Sequence, residues 1–153
     1  MPHSEPLPRL AAQLGYAGLL PFLAGAAMAW MPLRDLPLIA PHWPLLAYGA
    51  VILTFMGAIH WGLAMHTGKM TPGARNQLLL SALPPLIAWL ALALPPIAGY
   101  PVLGMGFLLM LFGDVKAVAH GQAPDWYPGL RGPLTFVALI SLAIGWAGSV
   151  FPG

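Results

Sequence analysis

The stretch 48-YGAVILTFMGAIHWGLAM-65 decides the fold: from Tyr48 to Met65 it carries no Asp, Glu, Lys or Arg, and its only imidazole is His60. An uncharged apolar run of about 18 residues or more is long enough to be read as a membrane-spanning helix. Backbone amides in lipid must find partners inside their own segment, and the alternation over about 10 residues that marks a membrane strand is absent here. A helix is the expected solution. At 3.6 residues per turn Gly49, Leu53, Gly57, His60 and Ala64 fall within about 80° of one another. His60 therefore shares a face with small residues and is expected to point into a bundle.

Working outward, four more runs approach the roughly 20 apolar residues that a hydrocarbon core requires. The spans are predicted at about 10–31, 43–66, 77–97, 101–120 and 132–151, a single all-α transmembrane domain over residues 1–153. In the first span Gly15, Gly18, Gly25, Ala26 and Ala29 lie within about 100° of one another, a surface suited to close helix packing. Pro21 is expected to kink that span. Pro84-Pro85, in the third, predicts a bend or a break near Leu80 and Ser81. Pro95 to Pro101 reads as a tight turn, Gly104, Gly106 and Gly113 as a close contact in the fourth span, and Ser141, Gly145, Gly148 and Ser149 as one side of the fifth. Trp30 and Trp43 are expected to mark one membrane interface, across a proline-rich loop that holds Arg34-Asp35. Trp126 and Tyr127 are expected to anchor the other.

Composition agrees with the spans. Of the 153 residues 59% are hydrophobic and 7% charged, against about 25% charged in soluble domains. A soluble monomer of this size has too little interior for so much apolar side chain. Six Lys and Arg do not make a nucleic-acid surface, and the absence of Cys excludes disulfides, thiolate metal sites and cysteine catalysis. Met1 to Arg9 is not the Arg- and Ser-rich amphipathic segment of a transit peptide, and Leu10 to Leu33 is longer than the roughly 7 to 15 residues of a secretory h-region. The expected setting is a bacterial inner membrane.

Five spans put the amino terminus and the second and fourth loops on one side, with Arg9, Lys69, Arg75, Lys116 and Arg131; the other side has Arg34. Cations favour the cytoplasm, so the amino terminus is expected there and the carboxyl terminus in the periplasm. His60 and Asp114 then lie roughly 8 to 10 Å inside the same interface at 1.5 Å per residue, at a depth compatible with Arg131. Lys116, two residues past Asp114, is on nearly the opposite face and free to snorkel.

Ionisable residues inside a membrane are costly and draw attention as candidate sites. The plainest account is structural, with Asp114 paired to Arg131 and His60 donating to Asp114 or a carbonyl. A proton-relay or quinone-head-group site using His60, Asp114 and Trp61 is the functional alternative, since an imidazole suits proton handling; bound lipid is a further one. A haem or metal role has little support, because His66 and His120 look interfacial and no closely spaced His pair occurs. The sequence shows no nucleophile with an adjacent base and no paired catalytic carboxylates. Trp61, Trp89 and Trp146 read as packing or interface residues, and Gly68-Lys69-Met70-Thr71 lacks the spacing of a phosphate loop.

Several short patterns occur together: Tyr48-Gly49 through Phe55-x-Gly57-x-x-His60-Trp61-Gly62, mid-helix prolines followed by Trp89, the lone Asp114, and Trp126-Tyr127-Pro128-x-Leu130-Arg131-x-x-Leu134-Thr135. In these the chain resembles the bacterial and mitochondrial family of small five-span membrane proteins of unknown function that includes mitochondrial transmembrane protein 69. The resemblance implies an energy-coupling membrane and supplies neither an activity nor a site.

The sequence thus points to a non-catalytic accessory or assembly subunit of a larger respiratory or photosynthetic membrane complex, among membrane lipids and other subunits, with no cofactor required. The alternative is a quinone-, lipid- or proton-handling module centred on His60 and Asp114. Orientation is directly testable. Alkaline phosphatase fused to the carboxyl terminus should be active; a stable but inactive fusion would reverse the assignment.

Overall fold

The computed structural model describes residues 7–31, 41–66 and 68–151. Within them the chain forms α1 (Arg9–Ala17), α2 (Leu20–Met28), α3 (Trp43–His66), α4 (Pro72–Ala93), α5 (Pro96–Ala119) and α6 (Tyr127–Val150). Five helical runs are long and apolar enough to cross a membrane: Arg9–Met28, which joins α1 and α2, and each of α3 to α6. Arg34-Asp35 and most of the proline-rich loop around them lie outside the described residues.

Prolines explain where the helices differ from their expected bounds. Pro21 lacks the N–H that would bond to the Ala17 carbonyl, and the first span breaks just before it. The Gly18 N–H bonds to Leu14 O and the Leu19 N–H closes a shorter turn on Tyr16 O, both at 3.0 Å. The Tyr48 hydroxyl of α3 then donates to Gly18 O at 2.9 Å. The second span has its expected bounds, 43–66, but α4, α5 and α6 begin earlier than their apolar runs, because proline fits a first helical turn where no intrahelical N–H bond is needed. Thr71 caps α4, its Oγ1 accepting from Ala74 N at 3.1 Å, with Pro72 next in the chain. Leu94 and Pro95 are extended and α5 starts at Pro96. The expected turn from Pro95 to Pro101 is thus mostly helix, and Tyr100 is a buried core residue. Likewise α6 starts at Tyr127 rather than at 132, which makes Arg131 helical.

Pro84-Pro85 does not break α4, which is continuous from Pro72 to Ala93. The Ser81 hydroxyl bonds to Leu78 O at 2.7 Å rather than to a carbonyl released by the prolines. The neighbouring helix meets that carbonyl instead: at Gly57 of α3 an added Cβ would lie 2.9 Å from Ser81 O and 3.0 Å from Pro84 Cγ. In α5 Pro101 frees the Ile97 carbonyl, and the Trp146 indole N–H of α6 donates to it at 3.1 Å. Removing a helical N–H therefore creates an acceptor that another helix uses.

The core lies between α2, α3, α5 and α6, with Ala88 and Ala91 of α4 also part of it. Phe22 packs edge-on against Tyr48 and Phe107, with ring centroids 5.2 and 5.8 Å apart, above buried Leu53, Met56, Leu103 and Met110. The small-residue surface of the first span meets both neighbours, as expected. Gly25 lies against the Leu45 backbone, and Gly15 against Leu130 and Leu134. Where lipid is as apolar as leucine, such close packing is a main source of association.

Gly57→Ala should lower stability by about 1–3 kcal/mol, the usual cost of overpacking. Gly62→Ala, where nothing lies within 4 Å, should be neutral or slightly stabilising because alanine has the better helix propensity. Tryptophan fluorescence during unfolding in mild detergent separates the two; equal effects would contradict the close approach at Gly57.

Candidate functional site

Four helices bring one polar residue each to the bundle end that bears Lys69, Arg75 and Lys116. At 1.5 Å per residue His60 is about 9 Å from the end of α3, Asp114 about 8 Å from the end of α5, and Arg131 about 6 Å from the start of α6. The sequence predicted this common depth, and the structure adds contact. His60 Nε2 is 3.1 Å from Asp114 Oδ1, and Arg131 Nε donates to Asp114 Oδ2 at 2.8 Å. Relative exposure is 0% for His60, 1% for Asp114 and 9% for Arg131. One carboxylate thus joins α3, α5 and α6, with each oxygen serving a different helix.

The fourth helix enters through Gln77, whose carboxamide oxygen lies against His60 Nδ1. Its Nε2 donates to Gln122 Oε1 at 2.7 Å. Gln77 projects inward because α4 begins at Pro72, which places it on the buried face with Ser81, Pro84, Ala88 and Ala91. The positive φ of 66° at Gly121 positions Gln122. There the Gly121 N–H bonds to Val118 O and the Gln122 N–H to Ala117 O, a helix-ending turn that favours glycine. Gly113 leaves room beside the ring, since a Cβ there would meet Leu80 and come within 3.6 Å of His60 Cε1.

Both ring nitrogens of His60 face oxygens, so this arrangement is satisfied in full when both carry hydrogen. Turning the Gln77 and Gln122 amides over together gives a second satisfied arrangement, in which Gln77 donates to Nδ1 and only Nε2 donates to Asp114. The two glutamines thus suit either form of the imidazole.

Sequence reasoning found His60, Asp114 and Arg131 and missed Gln77 and Gln122. Gln77 had a usable signal in its spacing from Ser81, Pro84 and Ala88; Gln122 had none, because only the turn at Gly121 directs it. Trp61 stays outside the cluster on the outer surface, 52% exposed. His66 and His120 are exposed and away from it, and Lys116 packs its ammonium 4.3 Å from the Phe112 ring centre. Trp126 and Tyr127 form an edge-on pair with centroids 5.9 Å apart, and the Tyr127 ring lies 6.0 Å from the Arg131 guanidinium carbon.

Two buried polar atoms on one face of α6 remain unpartnered, Arg131 Nη2 and Thr135 Oγ1. Residues four apart share a helix face. A buried donor without an acceptor costs about 1–3 kcal/mol, and more when charged.

A cluster of this kind, in a bundle of apolar spans, defines a multi-pass integral membrane protein. The family described as "Protein of unknown function (DUF3429)" matches residues 7–147, and the chain belongs to that family. It is 33% identical over 139 residues to "Transmembrane protein 69" of Xenopus tropicalis, covering 88% of this chain and 53% of that protein. Against "Transmembrane protein 69" of Mus musculus it is 27% identical over 139 residues, covering 90% and 55%. The chain thus spans about half the length of these curated relatives. No solved structure matches it.

Asp114→Ala should destabilise the protein by about 3–5 kcal/mol, since it leaves a buried guanidinium without its counter-charge. A double-mutant cycle with Arg131→Met, read by thermal unfolding in detergent, should show coupling of about 0.5–3 kcal/mol. Additive effects would mean that the pair does not lock α5 to α6.

Proposed function

We propose that the protein is a non-catalytic accessory or assembly subunit of a larger inner-membrane complex, respiratory or photosynthetic, with its amino terminus in the cytoplasm. One observation carries this reading: the ionisable residues at membrane depth, His60, Asp114 and Arg131, are buried and joined through the one Asp114 carboxylate. Engaged in this way they fix the relative positions of α3, α5 and α6. A rigid bundle with apolar outer faces suits contact with lipids and with other spanning subunits. The five-to-one distribution of Lys and Arg supports the orientation.

The second reading, proton handling centred on His60 and Asp114, draws on the hydrogen-bonded series Asp114, His60, Gln77 and Gln122. That series leads from the sealed centre to a half-buried residue at the bundle end. It is the weaker reading, because a carboxamide passes a proton only through an unfavourable tautomer.

Purification of the native protein from its own membrane in mild detergent, followed by mass spectrometry, tests the first reading. Recovery with a stoichiometric set of other membrane subunits is expected; recovery as an isolated small particle would overturn it. Unchanged proton leak in His60→Ala and Asp114→Asn membranes would remove the second.

A further inference from the structure

A cavity of about 480 Å³ lies between the first span, α3, α5 and α6, and its α6 wall runs from Tyr127 to Ala138. At 1.5 Å per residue that wall is about 16 Å long. The lining is almost wholly apolar, and Leu14 and Phe55 on it are also exposed on the outer surface. Arg131 and Thr135, one helical turn apart, both line the cavity from α6. Both are at least nine-tenths buried, and Arg131 Nη2 and Thr135 Oγ1 have no partner.

We infer that this cavity is a binding site for an anionic amphiphile, with its oxyanion head accepting from Arg131 Nη2 and Thr135 Oγ1 once these buried side chains turn toward it, and its acyl chain lying among the apolar side chains of the first span and α3. The shape argues for a chain, since the cavity is long, apolar and open beside residues that face lipid. The donors argue for an acceptor head, and the guanidinium favours one with negative charge. Arg131 is about 6 Å from the start of α6, near the depth of a lipid head group, and a basic pocket between spanning helices is a recognised form of anionic-lipid site. Asp114 keeps its bond to Arg131 Nε throughout, so the ligand occupies the face of the guanidinium that the helix lock leaves free. Occupancy needs no partner subunit, so this site and the accessory role can fail separately.

Native mass spectrometry of the full chain in mild detergent, titrated with oleate, with dioleoyl phosphatidylglycerol and with neutral decyl-benzoquinone, tests the inference. A one-to-one adduct with oleate alone identifies a free carboxylate head, and one with phosphatidylglycerol identifies a lipid phosphate; either supports the site. Thr135→Val, which removes one donor, and Ile52→Phe, which fills the cavity from α3, should each weaken that adduct roughly tenfold. Both variants leave the Asp114 bonds intact, so folding and binding are read separately. Absence of an anionic adduct, preference for the quinone, or unchanged binding in both variants would overturn the inference.

Discussion

The two oxygens of Asp114 hold the structure to a single arrangement. Oδ1 meets His60 of α3 and Oδ2 meets Arg131 of α6. Hydrophobic packing between helices gives little directional preference in lipid, where every face is already in an apolar medium. A carboxylate with two specific donors supplies that direction. A helix turned out of place would leave charge unpaired at a depth where the cost is high. The cluster is best understood first as a device for choosing one packing of α3, α5 and α6.

Prolines and glycines serve the same end by other means. Each mid-helix proline removes an N–H, and several of the resulting carbonyl sites become points of contact. Tyr48 reaches Gly18 O beside the Pro21 break, Trp146 reaches Ile97 O below Pro101, and Gly57 admits Ser81 O and the Pro84 ring. Gly148 likewise lies close to Ala29 O. Gaps in hydrogen bonding along one helix are matched by donors or by missing side chains on the next, so α4 passes through two successive prolines unbroken. The same rule makes the unpartnered Arg131 Nη2 and Thr135 Oγ1 conspicuous, since among the described residues nearly every other buried polar side chain has been met.

Much of this was legible before any coordinate was known. Run lengths and the near absence of charge gave five spans, and counting at 1.5 Å per residue placed His60 and Asp114 at one depth. Helix starts were harder to read. Hydropathy falls where Thr71-Pro72 and Pro128 begin their helices, although these residues are ordinary first-turn residues. Reading the starts late hid Gln77 as an inward-facing residue and left Arg131 at the edge of a helix that in fact contains it.

The sequence by itself determined that this chain lies in a membrane as helices and which polar residues lie at membrane depth, because both depend on local properties: run length, charge and rise per residue. Only the tertiary structure decided that His60 and Arg131 share one carboxylate, that Gln77 and Gln122 extend the cluster to the bundle end, that Trp61 faces away, and that a long cavity opens beside Arg131. Those outcomes depend on how far each helix is turned about its axis and on which carbonyl meets which donor. Contacts between residues distant in the chain set both.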